Sequence, residues 1–210
     1  MKASSDISSV IRPTLHHFGL ITANLEPMKE WYARVLGITP NHGSPAPDGA
    51  AALPPMRACW VTNDGANHRI GIIALPGLAD DPERSRHHRL QHVAFELPTI
   101  DDLLATYSRL KNLGIEPVLT ADHGASTAFY YEDPDRNSVE LTVDNFGDWE
   151  RSSEYIGTSP QFAANPMGTY VDPEKLIAAR AAGASVGELH RRGYADEFPP
   201  SKVMDPTVLL

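Results

Sequence analysis

Two stretches of the sequence, LHHFGLITANLEPMKEWYARVLGI at residues 15–38 and LQHVAFELPTIDDLLATYSRLKNLGI at residues 90–115, decide the fold. They align as a repeat, and their spacing slips by two only before Gly37 and Gly114. Five pairs stand 75 positions apart, namely Leu15/Leu90, His17/His92, Leu25/Ile100, Met28/Leu103 and Tyr32/Tyr107. Self-similarity at a fixed period indicates that one supersecondary unit is used twice.

Each copy has the same order of predicted elements. A short alternating strand precedes a helix with apolar residues at three-and-four spacing, and a glycine suited to a left-handed C-cap ends the helix. Strand-like pieces follow, RACWVTND and HRIGIIAL in the first copy and EPVLTAD, STAFYYED and NSVELTVD in the second. The sequence therefore predicts an α+β fold with a βαβββ module at about 15–75 and again at 90–144.

The segments around these modules differ in composition. The Pro-, Gly- and Ala-rich residues 41–56 predict a loop inside the first module, and polar residues 76–88 predict a connector. Residues 1–144 are expected to form one domain, and residues 145–210 an extension packed on the core or on a neighbouring subunit. Within that extension, one helix is predicted from Asp172-Pro173 through Arg180, ended by Gly183, and another from Ser185 to about Arg192.

Bulk composition excludes several classes of function. The net charge of -9 and the absence of a basic stripe argue against a nucleic-acid partner. The N-terminal residues lack the apolar region of a signal peptide, and no apolar run is long enough to span a membrane. A single cysteine fits a reducing compartment. We therefore expect a cytoplasmic protein without membrane partners, and open sheet edges favour a homo-oligomer.

Three residues form a candidate metal site. A lone carboxylate such as Glu140 on an alternating strand normally faces water, and a lone strand histidine normally bonds to a neighbour. His17 and His92, however, occupy the same repeat position, so the duplication directs both imidazoles toward equivalent places. Two imidazoles and one carboxylate suit a divalent first-row metal and leave positions open for other ligands. His16 faces the other way on the predicted strand and receives no role.

The motifs carry a family resemblance. The openings LHHFGLI…WYARVLG and LQHVAFEL…LKNLG, with DPDRNSVEL closing the second module, resemble the vicinal oxygen chelate superfamily over residues 15–144. That resemblance implies paired βαβββ modules forming an open, partly closed barrel around a metal. The superfamily includes glyoxalases, epimerases, thiol transferases that inactivate fosfomycin, extradiol dioxygenases and metal-free drug-binding proteins, so membership alone leaves the reaction open.

Three further residues resemble the extradiol dioxygenases. His68 begins a predicted strand in NDGANHRIGIIAL, which is similar to a GxHHxxAL pattern carrying an acid-base histidine. Tyr130 in STAFYYEDPDRNSVEL resembles a tyrosine that donates a hydrogen bond to the substrate oxygen, and His123 in ADHGAST resembles a histidine supporting the same region. One pair of modules with an added tail looks like the smaller one-domain enzymes of this group.

The resemblance implies a cofactor and substrates. Fe(II), with Mn(II) as the alternative, would be held by His17, His92 and Glu140, and the substrates would be a catechol-type aromatic diol and O2. A thiol transferase would use a similar ligand set but would give His68 and Tyr130 no comparable task. A glyoxalase-type isomerase would need a carboxylate near the end of the first module, which HRIGIIAL does not offer. A metal-free aromatic-binding protein would not need the three ligands.

Overall fold

The computed structural model describes residues 11–44 and 57–209. The chain divides at Ala79 into two compact units, and each unit contains one βαβββ module. The α+β class and the paired modules are confirmed. None of the described helices is both long enough and apolar enough to cross a membrane.

The first unit has one helix and a four-stranded sheet. Its elements are β1 (Phe18–Thr22), α1 (Leu25–Leu36), β2 (Thr39–Ser44), β3 (Arg57–Thr62) and β4 (Ile70–Ala74). The strand order is β1-β4-β3-β2, and only the β1–β4 pair is parallel. Helix α1 buries Leu25, Met28, Tyr32 and Val35, the stripe expected from three-and-four spacing. It ends at Gly37, whose φ of 66° is in the left-handed region that glycine adopts without strain.

The second unit repeats this arrangement and adds the C-terminal extension. Its module consists of β5 (Val93–Glu96), α2 (Ile100–Asn112), β6 (Leu119–Asp122), β7 (Ser126–Glu132) and β8 (Ser138–Asp144), preceded by a 3-10 turn at Arg84–Arg86. The extension comprises α3 (Trp149–Thr158), α4 (Pro160–Ala164), β9 (Thr169–Tyr170), α5 (Pro173–Ala181), α6 (Val186–Tyr194) and a 3-10 turn at Pro206–Leu209. The five-stranded sheet has the order β5-β8-β7-β6-β9.

The two faces of this second sheet have different roles. Alternate residues on one face are large and buried, including Phe129, Tyr131 and Leu141, and Tyr107 of α2 contacts Phe129 ring to ring. The other face carries Glu140 and Tyr130, which are paired across β8 and β7. Glu140 is nevertheless only 6% exposed, so β8 is buried on both faces at this point.

The extension is bound to the second module by backbone and side-chain contacts. Strand β9 adds to the edge of the sheet beside β6, with Asp122 opposite Thr169. The two predicted helices are confirmed, because Asp172 caps α5 and Ser185 caps α6 through a reciprocal capping box with Glu188. Helices α3 and α4 and strand β9 were not predicted from the sequence.

Two sequence predictions in the first module need correction. Residues 41 onward were predicted as loop, but residues 39–44 form strand β2. The strand forms because the backbone N–H and C=O groups of β2 pair with those of β3, a contact that composition does not reveal. The rest of that loop, 45–56, lies outside the described residues, as do residues 1–10. His68 does not begin a strand, since β4 starts two residues later at Ile70.

Candidate metal and substrate site

His92 and Glu140 come together in the second unit. His92 directly precedes β5, and the parallel pairing of β5 with β8 sets Ala94 opposite Glu140. The Nε2 atom of His92 lies 2.8 Å from Oε2 of Glu140. The other ring nitrogen of His92, Nδ1, contacts the side-chain oxygen of Gln91. Because that oxygen accepts the Nδ1–H, Nε2 meets the Glu140 carboxylate either through a second N–H or across a shared cation.

Tyr130 and His123 extend the same cluster. The ring of Tyr130 lies edge-on to that of His92, with centroids 5.5 Å apart, and burial together with the charge of Glu140 raises the pKa of the Tyr130 phenol. The hydroxyl of Tyr130 is 3.0 Å from Nε2 of His123. Nδ1 of His123 is 2.8 Å from the carbonyl oxygen of Met167 in the extension. Four of the six predicted site residues therefore share one sheet face.

The surroundings of this cluster are mainly apolar and small. Ala94, Ala121 and Ala128 belong to the same face by strand pairing, and Leu209 from the C-terminal turn packs against Ala121, Ala128 and Tyr130. Ser138 shares the face of Glu140 because it lies two positions earlier on β8. Its hydroxyl is buried and has no hydrogen-bond partner among the described residues. This face thus combines small, buried apolar residues with one buried hydroxyl, that of Ser138, which lacks a partner among the described residues.

The first unit brings His17 and His68 together, along with His16. The ring centroids of His17 and His68 are 4.1 Å apart, and ligand atoms of all three histidines lie within 4.8 Å of one another. Among the described residues this is the one group of three potential metal ligands that are mutually close. Desolvation, followed by the charges of His17 and His16, lowers the pKa of His68. The expectation that His16 points away from His17 is wrong, because Nδ1 atoms of the two rings are 2.8 Å apart.

A salt-bridged loop holds His68. Arg69 donates through Nε and Nη2 to Oδ2 of Asp64, at 2.9 and 2.7 Å, and through Nη1 to the backbone oxygen of His16 at 3.0 Å. The guanidinium, followed by the Ala66 amide, lowers the pKa of Asp64 to about 2. His68 itself donates from Nδ1 to the side-chain oxygen of Asn67 at 2.7 Å, which leaves Nε2 as its basic atom.

The register of the strands identifies the first-module counterpart of Glu140. Ala94 pairs with Glu140 in the second sheet, and Gly19, 75 positions before Ala94, pairs with Gly71 in the first. The equivalent position is therefore a glycine, consistent with the missing carboxylate in HRIGIIAL. This half of the repeat contributes a histidine but no acid.

A buried polar cluster beside His123 was missed by sequence reasoning. Asp122 is 2% exposed and accepts hydrogen bonds from the amide of Gly124, from Asn145 and from Nδ1 of His190. His190 belongs to α6, 68 positions away. Asp122 is the last residue of β6, whose four residues are all buried. In the sequence, the signal for this cluster was an acidic residue at the end of a strand, because a buried acid needs hydrogen-bond partners.

Comparison with known proteins identifies the family. Residues 14–141 match the model of the Glyoxalase/Bleomycin resistance protein/Dioxygenase superfamily. The chain belongs to this superfamily. Two curated relatives from Rhodococcus globerulus match this chain over nearly its full length. Biphenyl-2,3-diol 1,2-dioxygenase 3 is 35% identical over 93% of this chain and 96% of its own length, and biphenyl-2,3-diol 1,2-dioxygenase 2 is 32% identical over 94% and 97%.

A solved structure shares the fold of this chain. The glyoxylase/bleomycin resistance protein/dioxygenase domain from Frankia sp. EAN1pec superposes with a TM-score of 0.53 at 17% identity. It covers 64% of this chain and 99% of that domain. The shared part is the fold, and at this identity the comparison says nothing about the reaction.

The donor set in each unit fits a divalent metal. In the second unit, Nε2 of His92 and Oε2 of Glu140 lie 2.8 Å apart, so one imidazole and one carboxylate could bind the same cation. In the first unit, His17 is the repeat equivalent of His92. Imidazole and carboxylate donors are suited to iron and manganese, whereas the absence of thiolate donors from these clusters disfavours soft metals.

Proposed function

We propose that the protein is an extradiol dioxygenase that cleaves the ring of a catechol-type aromatic diol with O2 and uses Fe(II). The observation that carries the proposal is the group formed by His92, Glu140, Tyr130 and His123 on one sheet face. Relatives named as dioxygenases of a biphenyl diol, matched over nearly their full length, support the same reaction class. Both atoms of O2 would enter the product as the carbon–carbon bond beside the diol breaks.

The residues proposed to hold the metal are His17, His92 and Glu140. His92 and Glu140 are supported by their mutual distance of 2.8 Å, and His17 by its place in the repeat. When bound, the metal would supply Lewis acidity toward the diol hydroxyls and a redox-active centre for dioxygen. Mn(II) is the alternative occupant, since the same donors accept it.

The other residues would bind and orient the diol and move its protons. The Nε2 atom of His68 would take a proton from a diol hydroxyl and return it later, a role that the Nδ1–H bond to Asn67 and the partly buried position of the ring suit. Tyr130 would contact a substrate oxygen, and His123 would hold the Tyr130 hydroxyl in place. The buried residues Ala121, Ala128 and Leu209 pack with Tyr130 and would exclude water from that side of the site.

Oxygen uptake tests the reaction directly. Anaerobically purified protein reconstituted with Fe(II) is given catechol, 3-methylcatechol or 2,3-dihydroxybiphenyl, and the yellow ring-fission product is followed by absorbance. We expect one mole of product for each mole of O2. Iron binding without uptake on any diol would refute the dioxygenase proposal and would favour a thiol transferase or an isomerase.

Adjacent histidines provide a matched control for the ligand assignment. His17→Ala should abolish stoichiometric iron binding, whereas His16→Ala should retain it. Both changes remove an exposed imidazole from the same backbone segment, so general effects on folding cancel. If iron is lost on His16→Ala and kept on His17→Ala, the metal site is instead built on His16 and the proposed ligand set is refuted.

A further inference from the structure

The C-terminal extension contacts the proposed site through one backbone atom. The carbonyl oxygen of Met167 lies 2.8 Å from Nδ1 of His123, and a carbonyl can only accept. Nδ1 of His123 therefore carries a proton. In the neutral ring the other nitrogen, Nε2, is then an acceptor, and it faces the Tyr130 hydroxyl at 3.0 Å.

We propose that the Met167 carbonyl fixes the tautomer of His123 and thereby directs the phenolic proton of Tyr130 toward Nε2. Tyr130 has one proton and two neighbours that accept, because its hydroxyl also interacts with the carboxylate of Glu140. If the Tyr130 hydroxyl donated to Glu140 instead, a lone pair of its oxygen would face the lone pair on Nε2 of His123. The inference rests on the proposed function for its effect on rate, but the tautomer is a property of the protein alone.

The consequence for binding concerns the direction of one hydrogen bond. A phenol that donates to His123 meets a diol hydroxyl as an acceptor. This is the reverse of the direction implied by the resemblance to extradiol enzymes. Met167 and His123 are positioning residues in this proposal, since they act through Tyr130.

The backbone around Met167 is held firmly enough to set a tautomer. Gly168 has φ of 73°, and a Cβ there would lie 1.9 Å from the backbone oxygen of Asp122. Asn165 donates from its side chain to the Gly168 oxygen at 2.8 Å, and its own carbonyl accepts from the Tyr194 hydroxyl at 2.6 Å. The turn is thus fixed from β6 on one side and from α6 on the other, and only glycine fits the close approach.

Glycine substitutions separate this contact from general backbone strain. Gly168→Ala must move the turn, because the new methyl group would overlap with the Asp122 backbone. Gly183→Ala is the matched control: Gly183 also has a positive φ, 97°, and lies in the extension, but a Cβ there meets nothing within 4 Å. Both variants carry the conformational cost of a left-handed alanine, and only the first displaces Met167.

The tautomer is measured by two-bond proton–nitrogen NMR on the full chain labelled with 15N-histidine and loaded with diamagnetic Zn(II). We expect the Nδ1–H pattern for His123 in the wild type and in Gly183→Ala, and a changed or mixed pattern in Gly168→Ala. An Nε2–H tautomer or an imidazolium in the wild type would overturn the proposal. This readout needs no substrate, so it stands even if the protein cleaves no diol.

Kinetics give the second readout. In the Fe(II) enzyme, Gly168→Ala should lower kcat by about 10- to 100-fold with iron content and KM nearly unchanged, the scale for a misplaced positioning contact. Gly183→Ala should retain kcat within about twofold. Equal losses in the two variants would assign the effect to strain and overturn the proposal.

Two substitutions at position 123 decide the matter if Gly168→Ala fails to fold. His123→Gln can place its amide oxygen near the position of Nε2, where it accepts from Tyr130, whereas His123→Asn retains only a donor near Nδ1. We expect Gln to keep at least 10-fold more kcat than Asn, and Tyr130→Phe to add no further loss to His123→Asn. A more active Asn variant, or additive losses, would overturn the proposal.

Discussion

Replacement of the buried Asp122 should loosen the attachment of the extension to the second module. Its carboxylate accepts from the Gly124 amide at 2.8 Å, from Asn145 Nδ2 at 3.1 Å and from His190 Nδ1 at 2.8 Å. Asp122→Ala removes the acceptor of all three donors at a site that is 2% exposed. Breaking a buried pair by deleting one partner costs about 3–5 kcal/mol.

The lower part of that range is expected here. His190 keeps 18% of its side chain exposed and can find water, and Asn145 retains the Gly124 carbonyl as an acceptor, whereas Gly124, whose amide loses its acceptor, is buried. A loss of about 3 kcal/mol corresponds to a more than 100-fold rise in the opening equilibrium of the segment. The amide of Val171, which donates to Thr120 across β9 and β6, should report this as faster hydrogen exchange.

A surface pair of the same chemistry provides the control. Asp81 contacts His87 Nδ1 at 2.6 Å, but both side chains are largely exposed, so Asp81→Ala should leave Val171 exchange unchanged. A double-mutant cycle with His190→Ala then isolates the buried pair, and urea unfolding followed by circular dichroism gives the global value. An Asp122→Ala effect below about 1 kcal/mol, or one that Asp81→Ala reproduces, would refute the reasoning.

Three further predictions concern the proposed metal ligand Glu140, the proposed base His68 and the loop that holds His68. Glu140→Gln should lower iron affinity, because an anionic ligand beside His92 becomes neutral; full iron occupancy by elemental analysis and full activity would contradict the ligand role. His68→Gln should lower kcat by about 10²- to 10⁴-fold with iron retained, and loss of iron would show that His68 is a ligand. The pKa of Asp64 lies at about 2, below its ordinary value, so its contribution to loop stability is present above about pH 4 and lost as the pH falls toward 2. The Ala66 amide, which donates to Asp64, should report that transition by NMR, and the same transition in Asp64→Asn would contradict the assignment.

The first module shows how local patterns can both succeed and fail. The stripe of α1 and the glycine that ends it were readable because helix periodicity and left-handed caps are local properties. Strand β2 was missed because its sequence, TPNHGS, has little β propensity and is held by pairing with β3. His68 was placed in a strand for the converse reason: the apolar run after it is strand-like, but Arg69 and Asp64 keep the preceding loop turned.

The sequence by itself determined the duplicated module, the family resemblance and the candidate ligands. The repeat makes His17 and His92 equivalent, and alternation along β8 singles out Glu140, so these residues are visible without any knowledge of tertiary contacts. Tertiary structure decided which side chains share the Glu140 face and how they are connected. Met167 reaches His123 across 44 positions and His190 reaches Asp122 across 68, and such contacts leave no periodic trace in the chain. They follow from strand β9 joining the sheet edge, because backbone pairing, which is largely independent of side-chain identity, sets which residues meet there.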